Sequence, residues 1–412
     1  MPSDWRPLLS GTAAAPYQQA VEAILEAIDG QAVDPFDWGR PLLHTYLALG
    51  GSSLTDRGRA TASIDNTIDA LAQGTRPLSL YHGVAGVGWL AAHADALFES
   101  RDDAAYTEVD EALLCAPSPD LTPFAYDLIN GVVGVGVYYL ERLPHPRAIE
   151  GLRRVVAALE HHAEDRRDGV TWHTAPSLLP NWQRARAPDG YYNMGVAHGV
   201  PGVIGFLSEL CLAGVSIRGA EELLARAIRW VLNELTANDR FPSWIARTID
   251  RRGKLATPVA WCYGPLGVSI PLLVGARVLG DRDVGRAAVD LALQSAKRRE
   301  VNRVMGTGLC HGSAGNAHLF NRLYQATGHG EFREAAAFWL EVTLRMRIHA
   351  PGVAGFRTWT RRTEAGEYGW QDDSSFLTGA SGIALALAAA TTDIPPDWDR
   401  VMLASIEPLH QA

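Results

Sequence analysis

The stretch Cys310-His311-Gly312-Ser313-Ala314-Gly315 contains a pattern, Gly-x-x-Gly, that recurs along the chain and decides its fold. Each of its six copies opens an apolar run, and they begin at Gly83, Gly131, Gly199, Gly264, Gly312 and Gly379. Successive copies start 48 to 68 residues apart, which is room for two helices and their loops. A unit that returns at such intervals predicts a repeat architecture.

Between the glycine copies lie stretches with apolar residues at helical spacing and charges between them. These stretches are 148–162, 221–235, 284–297 and 332–345. Each unit is therefore predicted to pair one buried, glycine-opened helix with one half-exposed amphipathic helix. Stacked in a ring, such units predict an all-α fold, an α/α toroid of about seven pairs with the apolar helices inside. An open solenoid is the alternative, although long, glycine-rich repeats favour closure.

One domain is predicted over residues 1–412, with irregular excursions near 116–124, 164–195 and 347–375. No segment is rich in strand-forming residues. Long loops on one face of a rigid scaffold are where substrates usually bind. The paired glycines are predicted to let neighbouring inner helices approach closely and to leave backbone N–H groups free at one rim of the ring.

The composition narrows the classes of function. The 412 residues are 47% hydrophobic and carry a net charge of −9, without a Lys/Arg cluster that would suggest a nucleic-acid partner. The start, Met1-Pro2-Ser3-Asp4, lacks the basic and apolar regions of a signal peptide, and no apolar run is long enough to span a bilayer. A cytoplasmic protein is expected. Its four cysteines are too few for a disulfide framework and are predicted to bind metal, to react or to pack.

Two of these cysteines stand just before a glycine copy. Cys262 lies two residues before the fourth copy, and Cys310 precedes His311 directly before the fifth. Two thiolates and one imidazole form a donor set that zinc favours, and three protein ligands leave a fourth tetrahedral position open, as in catalytic sites. Their equivalent places in consecutive units predict that a ring brings them together. Cys115 and Cys211 lie on apolar helices and are expected to be small buried hydrophobes.

Two further side chains near glycine copies can carry acid–base chemistry. His198 directly precedes the third copy, and Asp127 lies four residues before the second. An imidazole near a metal can move protons at neutral pH, and a carboxylate beside it can orient it. The alternatives are a helix N-cap for Asp127 and a hydrogen-bonded core residue for His198.

Three more residues are candidates for contact with a substrate because of their place beside the same motifs. They are Trp261 and Tyr263, which flank Cys262, and His82, which precedes the first copy. The alternative for His82 is a core position, which is also the expectation for His318.

Five motifs taken together resemble the lanthionine synthetase C-like (LanC) cyclases. They are DLINGVVG at 127–134, NMGVAHGVPG at 193–202, WCYG at 261–264, CHGSAG at 310–315 and FLTGASG at 376–382. The similarity runs in order over roughly residues 80–390. It implies an α/α toroid with one zinc ion, for which Cys262, Cys310 and His311 are the ligands. It also implies that His198 and Asp127 are the acid–base residues.

The resemblance further implies a class I lanthipeptide cyclase. Such an enzyme adds peptide cysteine thiolates to dehydroalanine or dehydrobutyrine and so forms the lanthionine or methyllanthionine rings of peptide antibiotics. The implied partners are a dehydrated precursor peptide, a dehydratase and an exporter, the last of which would place the protein at the inner face of the membrane. Two other functions stay open: transfer of glutathione or another free thiol to dehydroamino acids, and non-catalytic peptide binding around a structural zinc.

The chain departs from the family pattern at three places. One is Val137-Tyr138-Tyr139-Leu140 after the second motif, where an arginine before the tyrosine is common. Family members often carry an arginine shortly before the Trp-Cys-Tyr-Gly motif, where this sequence has Pro258-Val259-Ala260. Arg252 and Lys254 are the candidates to replace it. The unit near Trp38–Gly50 lacks a clear glycine copy.

Overall fold

The computed structural model describes residues 5–31, 37–72, 76–100, 102–115, 123–166, 169–236, 242–246, 257–301, 304, 306–349, 351–361 and 367–407. Within these ranges, fourteen helices of eight or more residues form an outer and an inner layer. The outer helices are α1 (Ala15–Asp29), α3 (Arg57–Ala72), α5 (Thr107–Leu114), α7 (Pro146–His161), α10 (Ala220–Thr236), α12 (Arg282–Ala296) and α14 (Gly330–Arg345). The inner helices are α2 (Gly39–Leu49), α4 (Val84–Leu97), α6 (Val132–Glu141), α9 (Val200–Leu212), α11 (Pro265–Leu279), α13 (Ser313–Thr327) and α15 (Ala380–Thr391).

Contacts between successive inner helices close the ring. Helix α15 packs on both α13 and α2, so the last inner helix is the neighbour of the first. Each inner helix also packs on an outer helix, and α1, although it comes first in the chain, covers α15. The predicted toroid of seven pairs is confirmed, and the closed ring excludes the open solenoid.

The burial pattern explains which helices lie inside. Along α9 every residue from Val200 to Leu210 is buried except Glu209, as expected for a helix surrounded by protein. Outer helix α7 instead buries one stripe, which includes Ala148, Leu152 and Val155. Burial of an aliphatic side chain of this size contributes about 1.5–3 kcal/mol, so the apolar stripes hold the outer ring on the inner one.

The second glycine of each copy lies against the carbonyl oxygen of the residue six positions before it. A Cβ atom at Gly86 would lie 1.8 Å from the oxygen of Leu80, and one at Gly315 would lie 1.8 Å from that of Leu309. At the other four copies the corresponding distance is 1.9 to 2.4 Å. The glycines therefore make room first for the loop that precedes their own helix, and not for a neighbouring inner helix as the sequence suggested.

The same loops cap the inner helices with backbone carbonyl groups. The N–H groups of Ala314 and Gly315 donate to the carbonyl oxygens of Thr307 and Gly308 at 3.1 and 3.2 Å. Equivalent hydrogen bonds precede α4, α6 and α15. The prediction of free N–H groups at the rim was therefore wrong for these helices, because the fold uses those donors itself.

Short strands form in the second and third excursions, where only irregular structure was predicted, and one more forms at 244–246, outside the excursions. The strands are β1 (Glu164–Arg166), β2 (Gly169–Thr171), β3 (His173–Thr174), β4 (Tyr191–Asn193), β5 (Trp244–Ala246), β6 (Thr358–Arg361) and β7 (Tyr368–Gln371). All pairs are antiparallel: β1 with β2, β4 between β3 and β5, and β6 with β7. A short helix, α8 (Asn181–Arg184), lies between β3 and β4. Strands of two to four residues are too short to show an alternating pattern.

Some sequence predictions concern residues outside the described ranges. These are residues 116–122 of the first excursion, and Arg252 and Lys254. The unit without a glycine copy nevertheless forms inner helix α2, with Trp38 at its N-cap. None of the helices in the described part of the chain has the length and apolar character needed to cross a membrane.

Candidate metal centre and acid–base pair

Backbone hydrogen bonds join the loops before α11, α13 and α15 at one rim of the ring. The carbonyl oxygen of Cys310 accepts the N–H groups of Trp261 and Cys262 at 3.1 and 3.2 Å. The N–H group of Cys310 donates to the carbonyl oxygen of Leu377 at 2.8 Å. Two cysteines far apart in the sequence are thereby held side by side.

The side chains of Cys262, Cys310 and His311 meet at this junction. Their donor atoms all lie within 4.8 Å of one another, and the Cys262 Sγ to His311 Nδ1 distance is 4.0 Å. Zinc bonds of about 2.3 Å to sulfur and 2.0 Å to nitrogen at tetrahedral angles need donors roughly 3.6–3.8 Å apart. The three side chains therefore fit a zinc ion after shifts of no more than about 1 Å.

The charges of the three groups also suit a cation. A hydrogen bond from the Cys310 thiol, together with His311, lowers the pKa of Cys262 well below its ordinary value, although burial opposes this shift. The same bond, together with burial, raises the pKa of Cys310. Cys262 therefore ionises first, and Cys310 holds its proton until a cation can take over the role of that hydrogen bond.

No fourth metal-binding side chain joins the three among the residues that the structure describes. Asp127 is engaged elsewhere, since its Oδ1 accepts the N–H of Asn130 at 2.6 Å and its Oδ2 faces His198. His82 lies at the surface, with its ring partly shielded from solvent. This shielding and the charge of His198 both lower the pKa of His82. The donor set thus keeps an open position, as a catalytic zinc site does.

His198 and Asp127 form a pair 3.0 Å apart between His198 Nδ1 and Asp127 Oδ2. Burial alone would lower the pKa of His198, but the hydrogen bond and the charge of Asp127 outweigh it, with a smaller contribution from Cys262, so the pKa is raised. The N-cap alternative for Asp127 was wrong, because the N-cap of α6 is Gly131 and no side chain caps that helix. Asp127 fixes its own loop through Asn130 and orients His198 as well.

Of the remaining candidates for substrate contact, Tyr263 lies at the site and Trp261 does not. The ring of Tyr263 stacks beside that of His198, with 6.3 Å between the centroids. Trp261 is only 1% exposed, and its indole N–H donates to the carbonyl oxygen of Met402 at 3.0 Å. The prediction that Trp261 touches substrate is corrected, because its side chain is enclosed in the core directly behind Cys262.

The structure adds one polar residue that the sequence reasoning did not assign. Asn193 is fully buried, and its side chain contacts Tyr263, 70 residues away. Asn193 lies in the same motif as His198, and this was the only feature of the sequence that pointed to a role for it at the site.

Of the two cysteines and one histidine expected in the core, only the histidine is fully buried. Cys115 is exposed and Cys211 is partly buried, so neither is a fully buried hydrophobe as predicted. Cys115 directly follows α5, and Cys211 is the last residue but one of α9, so both lie at helix ends that meet solvent. His318 is buried as expected, and its Nε2 lies 2.6 Å from Asp399 Oδ2.

A separate cavity of about 670 Å³ lies at the opposite ends of the inner helices. Its walls include Glu141, Glu209, Arg277 and Arg400, and none of the three metal-binding candidates lines it. Burial there raises the pKa of Glu209 to about 7. The thiol and imidazole groups are therefore at one end of the ring, and this charged cavity is at the other.

The chain forms a closed α/α toroid, and its open Cys₂His donor set lies beside a His–Asp pair. Together these features indicate a toroidal protein with a candidate zinc-enzyme site. Comparison with known protein families identifies the family to which the chain belongs. It belongs to the lanthionine synthetase C-like family, whose sequence model matches residues 41–403. This confirms the predicted family.

Two individual proteins illustrate the relationship. The chain is 25% identical over 330 residues to the nisin biosynthesis protein NisC of Lactococcus lactis subsp. lactis. The matched region covers 75% of this chain and 73% of that protein. The solved structure of a nisin cyclase matches with a TM-score of 0.70 at 20% identity and covers 94% of this chain and 98% of the other. The second match confirms the toroidal fold.

Proposed function

We propose that this protein is a lanthionine synthetase that closes thioether rings in a dehydrated precursor peptide. The observation that carries the proposal is the position of the Cys262–Cys310–His311 donor set beside the His198–Asp127 pair at one rim of the toroid. Family membership and the similarity to NisC support the choice of a cyclase over other thiol chemistry.

The three donor residues are proposed to hold one zinc ion. With two thiolates and a neutral imidazole the occupied site has no net charge, so it would lower the pKa of an incoming peptide thiol while its sulfur stays nucleophilic. Cys262 is enclosed by protein, whereas Cys310 and His311 are partly exposed, which leaves the open position accessible from solvent.

The reaction adds the S–H group of the peptide across a carbon–carbon double bond. The sulfur forms a bond to the β-carbon of dehydroalanine or dehydrobutyrine, and the π electrons move to give an enolate. The α-carbon then takes up one proton. No atom is lost and no oxidant is needed, so the product has the mass of the substrate.

His198 is proposed to deliver that proton. Its Nδ1 is held by Asp127, so Nε2 is the ring nitrogen that can hand a proton to the α-carbon. The imidazole is partly exposed, with 36% of its side-chain surface accessible, and can therefore meet a substrate. Asp127 keeps the ring oriented and stabilises its protonated form, while Tyr263 and His82 border the same space.

The other predicted partners stay predictions. A dehydratase would have to supply the dehydroamino acids, and an exporter would receive the finished peptide. The cytoplasmic location, and a place at the inner face of the membrane through such partners, likewise remain expectations from the sequence.

The test compares the wild-type protein with Cys310→Ala on a dehydrated precursor peptide. Loss of one of three ligands is expected to remove zinc from the purified protein and to reduce ring formation at least about 100-fold, because the nucleophile is no longer activated. Rings are counted by alkylating the free thiols that remain and measuring the mass. Cys211→Ala is the matched control and should keep both zinc and activity, since Cys211 lies away from the site.

The same assay separates the alternatives. If added glutathione is joined to the peptide in preference to its own cysteines, the protein is a thiol transferase. If the wild-type protein binds peptide and zinc but the free thiols persist, it is a binding protein. Ring formation by metal-free Cys310→Ala at the wild-type rate would refute the proposed site.

A further inference from the structure

Asn193 connects the two halves of the candidate site. It lies at the end of β4, is fully buried, and uses both ends of its amide group. Its Oδ1 accepts the N–H of Gly195 at 2.9 Å, and its Nδ2 donates to the hydroxyl oxygen of Tyr263 at 3.0 Å. A buried asparagine with both ends paired has a single orientation, because turning the amide over would break both bonds.

The hydrogen-bonding partners of Asn193 determine which position its amide oxygen takes and which its amide nitrogen takes. A backbone N–H group can only donate, so the atom that faces Gly195 must be the oxygen. The amide nitrogen therefore faces Tyr263 and donates to its hydroxyl oxygen. This bond spans two loops, because Asn193 precedes α9 and Tyr263 precedes α11.

The turn that begins at Asn193 also packs directly on the metal-binding loop. A Cβ atom at Gly195 would lie 2.3 Å from the carbonyl oxygen of Cys262 and 2.7 Å from the ring of Tyr263. At the other end of the turn, a Cβ atom at Gly199 would lie 2.3 Å from the carbonyl oxygen of Asn193. The turn that carries His198 is thus packed against Cys262 and Tyr263, with no room for a larger side chain at either glycine.

We infer that Asn193 is a positioning residue that sets the separation between the thiol-binding half of the site and the proton donor His198. It acts through Tyr263, whose ring lies stacked beside the imidazole of His198. The inference rests on the proposed function, because it concerns delivery of a proton to the enolate. Its consequence is that Asn193 controls both the rate of that step and the face of the α-carbon that is protonated.

The experiment uses the full-length, zinc-loaded protein with three variants: Asn193→Ala, Tyr263→Phe and the double substitution. For Asn193→Ala, zinc content and KM should stay within about twofold of wild type, while kcat should fall about 10- to 100-fold, the usual cost of misplacing a reacting group by roughly 1 Å. The share of thioether with the minor α-carbon configuration, measured by hydrolysis and chiral chromatography, should rise. The double variant should lose little more than the larger single loss, because both substitutions break the same bond.

Asn321→Ala is the matched control. Asn321 is also a buried asparagine, but it lies on α13 with its carbonyl oxygen accepting from Gln325, and it should change neither kcat nor the configuration. Losses that multiply in the double variant, or an unchanged configuration in Asn193→Ala, would overturn the inference. They would leave the proposed function intact as long as the wild-type protein forms rings.

A second readout does not depend on turnover. The Tyr263 ring is stacked beside the His198 imidazole, so its ring current is expected to contribute to the NMR shifts of the imidazole protons. Asn193→Ala should therefore move those signals and Asn321→Ala should not. Unchanged His198 signals in Asn193→Ala would refute the positioning role even if the wild-type protein proved inactive on every peptide tested. If Asn193→Ala moves the His198 signals but the zinc-bound wild-type protein forms no rings, the positioning role stands and the proposed reaction is refuted instead.

Discussion

At the scale of single residues, the site depends on opposing effects on His198. Its burial favours the neutral imidazole, whereas the nearby Asp127 carboxylate favours the imidazolium, and the carboxylate prevails. A proton donor must be protonated when the enolate forms, so the raised pKa extends the active form to higher pH. Asp127 thereby contributes charge as well as orientation.

Asp127→Asn should shift the alkaline limb of the pH–rate profile to lower pH. The amide can still accept a hydrogen bond from His198, but it no longer carries a charge, so the pKa of His198 falls and the donor form is lost at lower pH. Initial rates of thiol loss measured from about pH 5.5 to about pH 9 would show the shift.

The control for this profile is Asp283→Asn, which removes an exposed carboxylate on α12. That variant should retain the wild-type limb. An alkaline limb that stays in place in Asp127→Asn would show that Asp127 does not set the protonation of His198.

At the scale of elements, the decisive unit is a loop followed by a glycine-opened helix. The carbonyl groups of the loop cap the helix, and the second glycine lets the two approach. Because this loop carries the proposed metal ligands and proton donor, the glycines help to position those side chains.

Gly86→Ala should destabilise the protein by about 1–3 kcal/mol, the usual cost of forcing extra volume into a packed interior. The new methyl group would collide with the carbonyl of Leu80, and backbone atoms cannot move aside as a flexible side chain can. Urea denaturation followed by circular dichroism measures the change. Gly330→Ala is the control, because nothing lies within 4 Å of its Cβ position on exposed α14, and it should be neutral or slightly stabilising. Equal stability of the two variants would contradict this account of the glycines.

The repeat made the larger elements predictable from the sequence. Six glycine copies and four amphipathic stretches were enough to predict six of the inner helices, four of the outer helices, the ring, and the meeting of Cys262 with Cys310 and His311. The short strands of the excursions were not predictable, since two to four residues show no period. The Asn193–Tyr263 bond was equally invisible, because its partners are 70 residues apart and neither has a distinctive local pattern.

At the scale of the whole molecule, the segment after α15 ties several units of the ring together. The carbonyl oxygen of Val401 accepts the hydroxyl of Tyr81, and that of Met402 accepts the indole of Trp261. Arg400 donates to Glu141 at 2.7 Å on the C-terminal end of α6. One short stretch of chain therefore contacts the units of α4, α6 and α11, and supports Trp261 directly behind the metal-binding loop.

The anchor of this segment is Asp399, which is fully buried between the guanidinium of Arg322 and the imidazole of His318. Its Oδ2 lies 2.6 Å from both Arg322 Nε and His318 Nε2. Burial would raise the pKa of Asp399, but Arg322 and His318 outweigh it and hold the pKa below its ordinary value of 3.8. A carboxyl group whose pKa is lowered by folding stabilises the folded state above its unfolded-state pKa, and this contribution is lost as the pH falls through the folded-state value.

Asp399→Asn should therefore destabilise the protein by about 3–5 kcal/mol near neutral pH, because Arg322 would be left buried without its counter-charge. The difference in the free energy of unfolding between wild type and variant, measured by urea denaturation, should shrink as the pH is lowered below 3.8, where the wild-type carboxyl also becomes neutral. Glu341→Gln, which breaks an exposed pair with Arg345, should change stability by less than about 1 kcal/mol at either pH. A destabilisation of Asp399→Asn that is the same at neutral and acidic pH would mean that shape, and not charge, anchors the segment across the ring.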